Sequence, residues 1–232
     1  MAARIGNQIV SQRQLIADLS HELRTPLTRL DIAVDSVRKK NDIERNIERL
    51  EKESGNIRRL VNDSLALAWL ENEEPQLERE DLDLVDLLDV IIDDAKFEFP
   101  HSLMQIDLPD TAPIKRSNHL AIGQAVENIL RNALRYSPTE GLVKVSLDET
   151  KQLYQLVISD SGPGVPDFFL EKIFQPFFRV DKSRKTNSNS FGLGLSLARR
   201  QLHAVGGDVI ATNIKTGGLS MIITLPKNKI KP

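Results

Sequence analysis

His21, in the run SHELRTPL, is the side chain of this 232-residue sequence best placed to act as a nucleophile. The chain has four histidines and no cysteine, so thiolate attack, disulfides and cysteine-held metal are excluded, and such work falls to imidazole or carboxylate groups. His21 lies midway between Leu19 and Leu23. On a helix that places it roughly 200° from each, on the side away from an apolar seam. An exposed ring nitrogen accepts a phosphoryl group directly. Glu22, next in sequence, can orient the ring or take a proton, and Thr25, at i+4, shares the exposed face and can place a water beside it.

Three further sets of residues have types suited to a phosphorylated ligand. In ENILRNALRY, Asn128 and Asn132 are four apart and project two amides from one helical face, with Arg135 able to pair with phosphate oxygens and Tyr136 offering a flat surface to a base. Neutral amides suit a magnesium ion whose charge a triphosphate already balances, which makes Asn128 the candidate metal ligand. In VISDSGPGVP, Asp160 ends a strand ahead of Gly162 and Gly164; its carboxylate can accept from an exocyclic amine while the glycines let the backbone approach a flat ring. In FGLGLSLARR, Gly192 and Gly194, with Leu193 and Leu195, open a helix whose free amides favour a phosphate chain. Each set also has a plainer reading, as a polar helix stripe, an ordinary strand-ending turn or a helix start. His101, His119 and His203 fit no constellation and read as surface or packing residues.

The elements that must hold these groups fall into two kinds. Residues 5–40 and 43–70 read as long amphipathic helices. The first carries its seam at Ile9, Gln12, Ile16, Leu19, Leu23, Leu27, Leu30, Val34 and Val37, with a slip of phase at Pro26 where a bend is expected. The second carries Ile43, Ile47, Leu50, Ile57, Val61, Ser64 and Ala68, and the charges of KKNDIERNIERLEKESGNIRR read as its solvated face. Two such helices cannot close a core, so a dimeric four-helix bundle is expected. The helix is already in phase at MAARIGNQIV, as if it continued a longer rod.

A polar linker broken by Pro75 follows at 73–82. From 83 to 232, helices over DLVDLLDVIIDDAKFEF, HLAIGQAVENILRNALRYS and GLGLSLARRQLHAV alternate with strands SLMQIDL, LVKVSLDE, LYQLVISD, GGDVIATNI and GLSMIITLP, which implies an α/β sandwich. The division is thus a hairpin over 1–72, a linker over 73–82 and a second domain over 83–232. Thirty-one basic against 33 acidic residues leave a net charge of -2, which gives no electrostatic case for nucleic acid. No stretch approaches the ~18 apolar residues of a membrane-spanning helix.

Taken together these runs resemble the sequence boxes of two-component sensor histidine kinases, in the family's order. SHELRTPL is similar to the phosphoacceptor box, ENILRNALRY to the N box, DSGPG to the G1 box, IFQPFFRVDKSR to the F box and FGLGLSL to the G2 box. The resemblance implies a GHKL-type ATP-binding fold over the sandwich, ATP and Mg2+ as cofactors, His21 as the autophosphorylated residue, Glu22 as acid or base and Thr25 as the residue tied to phosphatase action. It implies Asp160 as reader of adenine, Arg179 and Arg184 as phosphate contacts, and Phe174, Phe177 and Phe178 packed beneath a flexible lid at 182–190. Ser190 and Phe191 stand where the G2 box has glycine and its neighbour, a departure that bears on lid closure. The partners implied are a second copy of the chain and a response regulator receiver domain, with the core on the cytoplasmic side of an inner-membrane protein whose N-terminal region anchors it. Two rival readings are a GHKL-type ATPase that drives conformational change without a phosphohistidine and a scaffold that keeps only the fold.

Overall fold

The structure, a computed structural model, describes residues 2–40, 42–72, 77–180 and 191–228, and for 2–12, 71 and 72 the backbone alone. Helix α1 (Ala2–Arg38) runs through Pro26 without interruption. After a turn in which Lys40 takes φ 57° and Asp42 φ 43°, helix α2 (Ile43–Asn72) returns alongside it.

Within one chain the expected seam divides. Leu15, Pro26 and Ala33 are buried, not Ile16, Leu27 and Val34, which stay exposed; Ile16 keeps 63% of its surface. On α2 the buried positions are Asn46, Asn56, Leu60, Ser64 and Leu67, while Ile43, Ile47, Leu65 and Trp69 face outward. The reason is geometric: a hairpin offers each helix one neighbour, and the apolar band is wider than one neighbour covers.

The remainder is a two-layer sandwich. Strands β2 (Leu103–Asp107), β4 (Leu142–Glu149), β5 (Leu153–Ser159), β6 (Asp208–Asn213) and β7 (Leu219–Pro226) form one sheet in the order β2-β4-β5-β7-β6; β2 and β4 are parallel and the other pairs antiparallel. Alternate residues, among them Val143, Val145, Leu156, Ile158, Met221 and Ile223, point into a single core shared with helices α3 (Leu84–Glu98), α4 (His119–Tyr136) and α5 (Gly194–Ala204). Asp83 caps α3, accepting from the Val85 and Ala112 amides, and Asn118 caps α4, accepting from the Ala121 amide at 2.8 Å.

Two strands escaped the sequence pattern. β1 (Glu80–Asp83) and β3 (Pro113–Ser117) pair as a separate antiparallel ribbon, so the end of the segment read as linker is held to the sandwich. Four residues of EDLD and a strand that opens on proline carry too little alternation to be seen. Two short 3-10 turns, Asp167–Phe169 and Lys172–Phe174, lie within the turn-rich stretch.

Candidate functional site

Helix α4 is amphipathic in the strict sense: Ala121, Ile122, Ala125, Val126, Ile129, Leu130, Ala133 and Leu134 are buried in the core. Asn128, Arg131, Asn132 and Arg135 therefore fall together on the opposite side, at i, i+3, i+4 and i+7. That side forms one wall of a cavity of about 420 Å³, within the range of small-molecule sites. Its other walls include Tyr136, Asp160, Gly164, Arg179, and Gly192 through Leu195. Residues from four separate stretches of chain converge there. Gly162 does not line the cavity but adjoins Asp160, and Arg184, Ser190 and the 182–190 segment lie outside the described residues.

Asp160 is held from behind. Its Oδ1 accepts from the Gly162 amide at 2.8 Å and the Leu219 amide at 3.1 Å, which leaves the second carboxylate oxygen to a ligand. Only 8% of the residue is exposed. Burial raises its pKa above the usual carboxylate value, and the two amide hydrogen bonds only partly offset this. The glycines are steric requirements: a Cβ on Gly162 would sit 2.8 Å from the Tyr136 carbonyl, and one on Gly164, at φ 70°, 2.8 Å from Asn213 Oδ1. Gly218, which the sequence reading passed over, is a third; its backbone abuts the Asp160 carbonyl too closely for any side chain.

Helix α5 enters the cavity by its N-terminal end. It has no acidic residue in its first turn and no side-chain cap, so its first amides and dipole are available to an anion. Gly192 (φ 76°) makes the turn into it, and the Phe177 amide donates to the Gly192 carbonyl at 2.9 Å, which ties the two ends of the intervening segment together. The three phenylalanines separate. Phe174 enters the sandwich core beneath Arg199, whose guanidinium lies 4.8 Å from its ring centre; Phe178 lines the cavity; Phe177 packs with Leu193 and Phe191 against Leu60 and Leu67 of α2. Arg199 also bridges Glu171 at 2.9 Å and Asp208 at 3.3 Å, fixing α5 to the phenylalanine segment and to β6.

His21 stands elsewhere. Its side chain is 74% exposed, with Nδ1 3.5 Å from Glu22 Oε1, and Thr25 is exposed on the same helix. None of the three lines the cavity. Three charged residues that do were missed. Arg59 ends a charged run whose spacing implies a solvated face and no motif marks Asp63, yet both α2 side chains contribute to the wall. Nothing in one-dimensional periodicity marks them, because the face they occupy is defined by docking of the sandwich. Arg131 was also missed, although its i+3 spacing from Asn128 signalled it.

The donor set fits magnesium that arrives with a nucleotide. Asn128 presents an amide oxygen beside Gly194, where an added Cβ would meet it at 3.4 Å, and among the described residues no group of three or more His, Asp or Glu side chains could hold a metal ion unaided.

Residues 11–73 match the His Kinase A (phospho-acceptor) domain, and residues 117–229 match the family described as histidine kinase-, DNA gyrase B-, and HSP90-like ATPase. The chain belongs to the two-component sensor histidine kinases. The sensor protein PfeS of Pseudomonas aeruginosa is 39% identical over 227 residues, covering 97% of this chain and 49% of its own length. The chain spans about half the length of the curated relatives it matches. Among solved structures, the Acinetobacter baumannii histidine kinase AdeS superposes with a TM-score of 0.73 at 23% identity, covering 90% of this chain and 98% of that one. Histidine kinase ThkA, in complex with response regulator protein TrrA, gives 0.73 at 21% identity over 92% of this chain and 61% of that one. These structures share the hairpin and the GHKL-type sandwich. Among the described residues no helix is long and apolar enough to cross a membrane.

Proposed function

We propose that this kinase core binds ATP in the cavity, passes the γ-phosphoryl group to a ring nitrogen of His21, and then delivers it to an aspartate of a response regulator receiver domain. The observation that carries the reading is convergence: Asn128, Asn132, Arg135, Tyr136, Asp160 and the amides opening α5 share one cavity beside a hairpin that presents an exposed imidazole. Asp160 receives the exocyclic amine of adenine, Tyr136 faces the base, and Arg135 with Arg179 and the first turn of α5 takes the phosphates. Asn128 would hold magnesium against phosphate oxygens, where the ion supplies charge neutralisation. Transfer of this kind is mostly positioning and electrostatics, and it leaves His21 to provide the lone pair. Glu22, beside the ring, orients it or takes its proton. Thr25 places a water for hydrolysis of the regulator's phosphoaspartate, which releases inorganic phosphate.

Because His21 does not line the cavity, transfer calls for movement of the sandwich relative to the hairpin, or for the imidazole of the second copy. The outward stripe of Ile16, Leu27, Ile43, Leu65 and Trp69 supports a homodimer that completes a four-helix bundle. Anchorage of the parent protein in the inner membrane, with this core on the cytoplasmic side, is supported by sensor relatives of about twice this length. The test is incubation of the purified chain with γ-labelled ATP and magnesium. Acid-labile label is expected on the wild type, and none on His21→Ala, which retains nucleotide binding. Label persisting in that variant would overturn the assignment.

A further inference from the structure

One wall of the cavity does not belong to the sandwich. Arg59 and Asp63 come from α2, one turn apart, and Asp63 lies three residues after Leu60 and four before Leu67. Those two leucines are completely buried with Leu193, the residue immediately before α5, and Phe177 and Phe191 pack on the same cluster. Asp63 is therefore carried into the cavity by the same seat that docks the sandwich on the hairpin. The cavity it enters also carries Arg135 and Arg179 beside Arg59, while Arg131, on the same wall, is paired with Glu98 and Glu127. Docking strips water from the Asp63 carboxyl, and this raises its pKa although the Arg59 charge opposes the rise.

With Asp160 assigned to the base, a second carboxylate has no evident use in a pocket for a triphosphate. It carries the sign of the phosphates, offers the same kind of acceptor oxygens and is drawn by the charge of Arg59. On the reading that this cavity is the nucleotide site, we propose that Asp63 occupies the phosphate end of the cavity in place of a phosphoryl group, so that the docked hairpin and a bound triphosphate compete. Loading ATP then displaces Asp63 and loosens the seat at Leu60 and Leu67, which frees the sandwich to travel toward His21. Linkage makes the effect reciprocal: whatever holds the hairpin docked weakens nucleotide binding by the same factor.

The experiment is calorimetric titration of the whole chain with ATP and magnesium, and in parallel with adenosine, which has no phosphate. Asp63→Asn should bind ATP at least about fivefold more tightly than the wild type, with adenosine affinity unchanged. Unchanged ATP affinity in Asp63→Asn overturns the proposal. Weaker binding overturns it too and makes the carboxylate a magnesium ligand, and equal tightening of adenosine shows that the cavity has merely opened. Should the wild type bind neither ligand, the nucleotide reading itself fails and this inference falls with it. A wild type that binds both, beside an Asp63→Asn that matches it, sinks only the competition.

Discussion

The sandwich and the hairpin bury their apolar residues to very different extents. The sandwich closes a single core from three helices and one sheet face, with Leu84, Ile122, Ile129, Leu156, Ile158 and Ile223 essentially inaccessible. The hairpin buries Leu15, Leu60 and Leu67, recruits Leu193 from the sandwich to cover them, and leaves Leu65 64% exposed and Trp69 45% exposed. One region is stable by its own packing; the other depends on surfaces outside it. On the proposed reading, the part that would hold the ligand is self-contained, and the part that would exchange partners keeps its apolar contacts open.

The comparison can be broken at several points. The largest effect is expected from Ile129→Ala, which deletes a fully buried side chain of α4 and should cost about 2–5 kcal/mol of unfolding free energy in a denaturant titration of the sandwich. A loss below about 1 kcal/mol would mean that this core is not close-packed. Next, Leu65→Glu with Trp69→Glu should convert a dimer to a monomer in sedimentation, since each residue buried at an interface is worth roughly 1.5–3 kcal/mol, while nucleotide binding by the sandwich stays intact. A wild type that sediments as a monomer would show that the exposed stripe has another use.

Asp160→Asn should weaken adenosine binding by about 1–3 kcal/mol, because the amide presents a donor where an acceptor is needed. Unaltered affinity would remove this residue from base recognition. The smallest effect concerns acid stability. Burial raises the pKa of Asp208, but the hydrogen bond from His203, the Val209 amide and the charges of His203 and Arg199 outweigh it, and the net shift is downward. A depressed carboxylate contributes stability above its unfolded value of 3.8 and loses it as pH falls through the lower folded value. Asp208→Asn should therefore be less stable than the wild type at neutral pH by a few tenths of a kcal/mol, given the half-exposed network, with the gap closing below pH 3.8. A gap independent of pH would assign the loss to packing.

Much of this molecule was legible from its order of residues. The 3.6-residue rhythm of α1, α2 and α4, the alternation of β4, β5 and β7, and the spacing of Asn128, Asn132 and Arg135 follow from local periodicity, and the ends of these elements lie within three residues of where the pattern put them. Periodicity works there because each element buries one face, whatever covers it. The ribbon of β1 and β3 was hidden because its strands are too short to show a period. Position on a helix was enough to place His21 in the open.

What covers each face was settled only by the folded chain. It chose Leu15 and Ala33 over Ile16 and Val34 as the inner edge of α1, divided Phe174, Phe177 and Phe178 among three environments, pressed Gly218 against Asp160, and turned Arg59 and Asp63 from surface charges into cavity walls. The reason is physical. A residue's spacing within its own element fixes the direction of its side chain, but burial, desolvation and pairing are set by the element that arrives opposite. For Asp63 that element, the segment that opens α5, lies more than a hundred residues away along the chain.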